Sequence, residues 1–75
     1  SRVDHEEFWR FINEQLHSDV ERVVVYCSFV LGLTPRAVYA KRPDLFTGIN
    51  DVYNVKRNVL GRLSRNHQLR QMVAG

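Results

Sequence analysis

Residues 32–63 read GLTPRAVYAKRPDLFTGINDVYNVKRNVLGRL, and this stretch decides the fold. Gly32 is a helix stop, because a helix commonly ends on a residue free to turn left-handed. Thr34-Pro35 is a helix start, a hydroxyl cap followed by proline at the first helical position. Leu33 and Val38 are spaced to form an apolar staple across that start. Pro43 disfavours helical geometry at Arg42, so the helix is short and ends there. Asp44 to Ile49 form a connection, with Leu45 or Phe46 expected to tuck back and pin it. Asn50 reads as the cap of a longer helix running from about residue 51. That helix carries Val52, Val55, Val59 and Leu63 at helical spacing.

Upstream, two more starts are punctuated in the same way. Asp4 with Glu7, and Ser18 with Glu21, have the spacing of a capping box, and Val3 with Phe8 has that of a staple. The first helix then runs to about Leu16, with Phe8, Phe11, Ile12 and Leu16 on one face and Trp9 beside them. The second carries Val20, Val23, Val24, Cys27 and Leu31 inward, and Val25, Tyr26, Phe29 and Val30 widen that stripe. Its β-branched run could suggest a strand, but the cap before it and Gly32 after it favour helix. Downstream, Asn66 either ends the long helix or caps a last one through Leu69, Met72 and Val73. The expectation is an all-α bundle of about five helices in a single domain, residues 1–75. Its core should hold Phe8, Ile12, Val20, Val24, Cys27, Leu31, Val38, Val52, Val59 and Leu63.

Composition sets bounds on function. An apolar fraction of 44% with eight aromatic residues supports one small core in 75 residues. A single cysteine, Cys27, excludes an internal disulfide framework and a thiolate zinc site, and within an apolar run it reads as a buried, inert thiol. The apolar stretch Val23–Leu33 is broken by Ser28 and Gly32 and is too short for a membrane span. No secretory signal pattern is present. Because the chain opens on Ser1, we read it as a piece of a longer cytoplasmic protein. His5, His17 and His67 have no ligand spacing, and neither a nucleophile motif nor a glycine-rich phosphate loop occurs. The expectation is a non-enzyme without metal or cofactor.

Charge is distributed unevenly. Residues 1–33 carry three basic side chains against six acidic ones, whereas residues 34–75 carry eight against two. A small domain that gathers its positive charge in one half has the footprint of a polyanion binder. On the long helix, at 100° per residue, Val52, Val59 and Leu63 centre the buried face, with Val55 and Leu60 flanking. The opposite face presents Tyr53, Asn54, Arg57, Asn58, Gly61, Ser64 and Arg65, without an acid beyond Asp51 at the helix start. Arg and Asn suit guanine and adenine edges in a major groove. An ordinary solvated face would mix Glu with Lys to gain i,i+4 pairs. Gly61 fits either a close phosphate strand or a tolerated surface glycine. Lys56 falls toward the buried side and is expected to snorkel. At the short helix, Thr34 and Arg36 combine free backbone N–H groups with a guanidinium, which suits a phosphate, while Thr34 also serves as an ordinary cap.

The pattern resembles region four of bacterial RNA polymerase sigma factors. The resemblance is carried by Glu21-Arg22, by Gly32-Leu33-Thr34 before a short helix ending in Tyr39-Ala40, and by VYNVKRNVLGRL over 52–63 with a basic tail. It covers roughly Ser18 to Arg70. It implies a helix-turn-helix whose second helix recognises the minus-thirty-five promoter element, and docking on the flap of the polymerase β subunit. Asn54 and Arg57 match base-facing positions, and Thr34 and Arg36 match backbone-contacting ones. The site expected is therefore Tyr53, Asn54, Arg57 and Asn58 toward bases, with Thr34, Arg36, Lys41, Arg42, Gly61 and Arg65 toward phosphates. The family has a glutamate where Arg36-Ala37-Val38-Tyr39 has no acid, and its turn is shorter than Pro43–Asn50.

A second reading keeps the fold and changes the partner. A helical interaction module would bind a polymerase subunit or an anti-sigma-type regulator, without reading DNA. Such a partner would cover the basic face with acidic residues, and the acidic first helix, with Trp9 among Glu6, Glu7 and Glu14, could equally be an intramolecular or intermolecular docking surface. Salt-sensitive binding to duplex DNA separates the two readings.

Overall fold

The computed structural model of the protein describes residues 4–74, with side chains from Asp4 to Met72. Val3 of the first staple and the side chain of Val73 lie outside the described residues. Five helices follow one another, without a strand among the described residues: α1 His5–Glu14, α2 Asp19–Val25, α3 Pro35–Lys41, α4 Ile49–Ser64 and α5 His67–Ala74. The second of them continues without a break as a π-helical turn, Tyr26–Val30.

The helix starts are built by side chains the sequence places there. Asp4 accepts the Glu6 N–H at 3.2 Å. Ser18 Oγ accepts the Glu21 N–H at 3.3 Å, and Glu21 Oε1 accepts the His17 N–H at 2.8 Å, which closes a reciprocal box. Thr34 Oγ1 accepts the Ala37 N–H at 3.2 Å, with Pro35 behind it. Asn66 Oδ1 accepts the Leu69 N–H at 2.9 Å and so caps α5. Asn50 is a correction: α4 begins two residues earlier than expected, with Gly48 at the cap position and Asn50 already in the first turn. The Asp51 carboxylate serves that end instead, accepting the Thr47 N–H at 3.1 Å.

Two apolar clusters form the core. Ile12, Leu16, Val25, Val59, Leu63 and Leu69 join α1, α2, α4 and α5. Val24, Cys27, Val38, Phe46 and Val52 join α2, its π turn, α3, the long connection and α4. Val55 touches both clusters. Adjacent valines on α2 thus serve different clusters, Val24 one and Val25 the other, which accounts for its β-branched run. Phe46 is buried with Leu45 beside it, so the connection between α3 and α4 is pinned as expected.

Several core assignments need correction. Phe8 and Val20 are half-buried against the clusters rather than within them. Leu31 is 45% exposed, and Tyr26, Phe29 and Val30 are about half exposed too. The cause is the π turn. The Leu31 N–H reaches the Tyr26 carbonyl at 3.1 Å, five residues back, so each residue rotates by less than in an α-helix. The inward stripe therefore slips out of phase after Cys27. Gly32, at φ 69°, then reverses the chain, and the Leu33 N–H closes on the Cys27 carbonyl at 2.8 Å. Leu60, expected to flank the buried face of α4, is 40% exposed.

Candidate nucleic-acid interface

The long helix α4 is held from both sides: α2 and α3 pack against it, and its buried residues enter both clusters. Its opposite side faces solvent. Tyr53, Asn54, Arg57, Asn58, Ser64 and Arg65 are exposed there, with Gly61 half-buried between them. Among the described residues, Tyr53, Asn54, Arg57 and Asn58 make no side-chain hydrogen bond or ion pair, so their donors and acceptors remain available. Asp51 is half-buried and occupied by the Thr47 N–H. The exposed side of α4 carries no free carboxylate.

One cation of the basic half does something else. Arg62 turns from this face toward the corner between α1 and α2, where Nη1 donates to Glu21 Oε2 at 3.2 Å and Nη2 donates to Glu21 Oε1 and, at 3.1 Å, to the Gln15 carbonyl. The Arg62 and Glu21 side chains are 32% and 17% exposed, so much of the pair is shielded from water. The Arg62 guanidinium holds the Glu21 carboxyl below the usual carboxylate range, against burial, which pushes it up. Asn66 Nδ2 adds a bond to Gln15 Oε1 at 3.2 Å, bringing the start of α5 to the same corner. This clamp fixes the roll of α4 about its own axis. Sequence reasoning counted Arg62 as one more basic residue; a contact 41 residues apart leaves no local pattern to find.

The expected phosphate contacts fall into two places. Near α4, Pro35 of α3 borders a shallow hollow with Tyr53, Arg57, Leu60, Gly61 and Ser64, so the start of α3 lies beside the exposed side of α4. Thr34 and Arg36 flank Pro35 in the chain, and both are exposed. The Thr34 hydroxyl already accepts the Ala37 N–H. Lys41 and Arg42 line a different hollow, with Val23, Tyr26, Cys27 and Leu31 of α2 and its π turn. Arg42 is also paired: Nε and Nη2 each donate to Asp44 at 3.2 Å. That bond holds the Asp44 carboxyl below its usual range and raises the guanidinium's own value. Arg65 lies along α4, its guanidinium beside Gly61.

Lys56 snorkels as expected, but to a specific place. Its ammonium sits over the Phe29 ring, 5.5 Å from the centroid, which ties α4 to the end of the π turn. A third hollow lies between α1 and α2, lined by Trp9, Ile12, Leu16, Val25, Tyr26 and Val30, with His5, Glu6, Arg10 and Arg22 at its edge. No group of three or more potential metal ligands occurs among the described residues. No helix among them is long and apolar enough to cross a membrane. Comparisons with protein-family models, with curated proteins and with solved structures return no match.

Proposed function

We propose that this domain binds double-stranded DNA through the exposed side of α4, as a promoter-recognition module of the sigma region-four type. One observation carries the reading: α4 presents Asn54, Arg57, Asn58 and Arg65 to solvent with no competing carboxylate on the same side. A helix of about 10–12 Å diameter fits a major groove of about 12 Å, and free Arg and Asn side chains match guanine and adenine edges there. Arg36, at the start of α3, then lies where a phosphate of the same duplex would pass, as the first helix of such motifs often touches the backbone. On this reading the module works in the cytoplasm, docked on the RNA polymerase core, and needs no cofactor and performs no catalysis.

Three single variants test the reading. Arg57→Ala should weaken duplex binding by roughly 1–3 kcal/mol and relax preference at one base position. Arg36→Ala should weaken all sequences alike and flatten the salt dependence by about one phosphate. Arg10→Ala, on α1, should change neither. Equal and salt-insensitive behaviour of the three removes the DNA reading.

A second reading is favoured by a separate observation. Tyr26 and Val30 are about half exposed in the hollow between α1 and α2, and Phe29 and Leu31, next to Val30 in the chain, are about half exposed too. Consecutive exposed apolar residues are unusual outside interaction surfaces. In this reading the partner is a polymerase subunit or an anti-sigma-type regulator, seated on α1 and α2. Val30, unlike Tyr26, does not border the hollow of Lys41 and Arg42, so Val30→Ser would impair the protein partner while leaving duplex affinity intact.

A further inference from the structure

The exposed side of α4 is polar along one flank and apolar along the other. Asn54, Asn58 and Arg65 occupy the first flank. Tyr53 and Leu60, 51% and 40% exposed, occupy the second, seven residues apart on the same helix edge. Pro35 stands across from them, so the three apolar groups wall one hollow, with Arg57 along its side. Lys56 also borders this hollow, but its ammonium is engaged over the Phe29 ring. The hollow thus adjoins a carboxylate-free row of donors while offering apolar walls. A phosphate would gain little from the apolar wall of Tyr53, Leu60 and Pro35. A methyl group that arrives together with a polyanion fits both halves of the arrangement. In a DNA major groove that group is the 5-methyl of thymine, read by apolar contact.

We propose that Tyr53, with Pro35 and Leu60 beside it, receives the 5-methyl group of a thymine within two base pairs of the one contacted by Arg57. The inference rests on the reading of α4 as the groove-facing helix and assigns it a base preference. Tyr53 and Arg57 are one turn apart, about 6 Å along the helix axis, against roughly 3.4 Å per base step. The thymine therefore lies within two base pairs of the one read by Arg57. Tyr53 supplies ring surface with two rotatable bonds, and its exposure means that truncating it leaves the core intact.

The test uses the whole chain and a duplex that it selects from a random pool. Each thymine of that duplex is replaced in turn by deoxyuridine, which lacks the methyl and keeps the pairing. One replacement, within two base pairs of the position where Arg57→Ala relaxes preference, should weaken binding roughly three- to four-fold, the worth of one buried methyl. Tyr53→Ala should abolish that difference, and Tyr53→Phe should preserve it. Circular dichroism of both variants should match the parent. Indifference to uracil at every position, or a penalty that persists in Tyr53→Ala, overturns the inference, while continued dependence on Arg57 leaves the DNA reading standing. A chain that selects no duplex at all overturns both.

Discussion

At the scale of residues, Gly61 separates folding from function. It sits within α4, where glycine costs about 1 kcal/mol relative to alanine. A Cβ there would meet the Arg65 guanidinium at 3.4 and 3.9 Å, which is ordinary contact with the far end of a flexible side chain. The fold therefore gives no steric reason for a glycine. Gly61→Ala should raise the unfolding free energy by roughly 1 kcal/mol in a denaturant titration. If a phosphate strand approaches the backbone at this point, the same variant should bind duplex less well. A variant both more stable and equal in DNA affinity would mark Gly61 as incidental to binding. Arg42 poses a related question, since a phosphate would have to compete with Asp44. Asp44→Asn should strengthen duplex binding and steepen its salt dependence if Arg42 reaches the DNA, and leave both unchanged if it does not.

At the scale of elements, the caps of α2 and α3 were legible, while that of α4 and the phase of α2 were not. Ser18, Thr34 and Pro35 signal through short, directional chemistry that acts within three residues, so the sequence marks those starts. The π turn shifts α2 by a fraction of a residue per step, and no residue type announces it. An α-helical wheel therefore put Leu31 inside, where it is 45% exposed. The Arg62 clamp was hidden for a different reason, because its partner Glu21 is distant in sequence and near only after folding. That pair gives the elements a pH signature. The Glu21 carboxyl is held low in the folded chain, chiefly by the Arg62 guanidinium. Its stabilisation is fully present above the unfolded carboxyl value, about 4.3, and is lost as pH falls through the lower folded value. Arg62→Ala should cost about 1.5–3 kcal/mol at neutral pH, the range for hydrogen bonds to a charged group, and should flatten the acid limb of the stability profile. Stability curves from pH 7 to 2.5 for the two chains would show it; coincident curves would mean that the clamp contributes nothing, and parallel, offset curves that it does not act through the Glu21 charge.

At the scale of the whole molecule, the protein is elongated, with extents of 41 × 21 × 18 Å. Its two clusters are joined along α4, with the acidic α1 packed in the cluster that lacks α3. Charges more than about 8–10 Å apart are largely screened at ordinary salt, so the local surface matters more than the net charge of +3. The helical class and single bundle could be read from capping and periodicity, which tolerate a shift of a residue or two. The face of α4 could be read because Val52, Val59 and Leu63 fix its inward side. Its exposed cations, Arg57 and Arg65, could be read for the same reason, whereas the tie of Arg62 to Glu21 could not, because it forms only on folding. In the DNA reading, position and not total charge makes this surface a binding site. Arg57→Glu and Arg10→Glu change the net charge identically, one on α4 and the other on α1. Duplex affinity of the two variants across a salt series is the most direct measurement. Binding should be steep and salt-sensitive, lost in Arg57→Glu and retained in Arg10→Glu. Equal losses in the two variants would contradict the DNA reading.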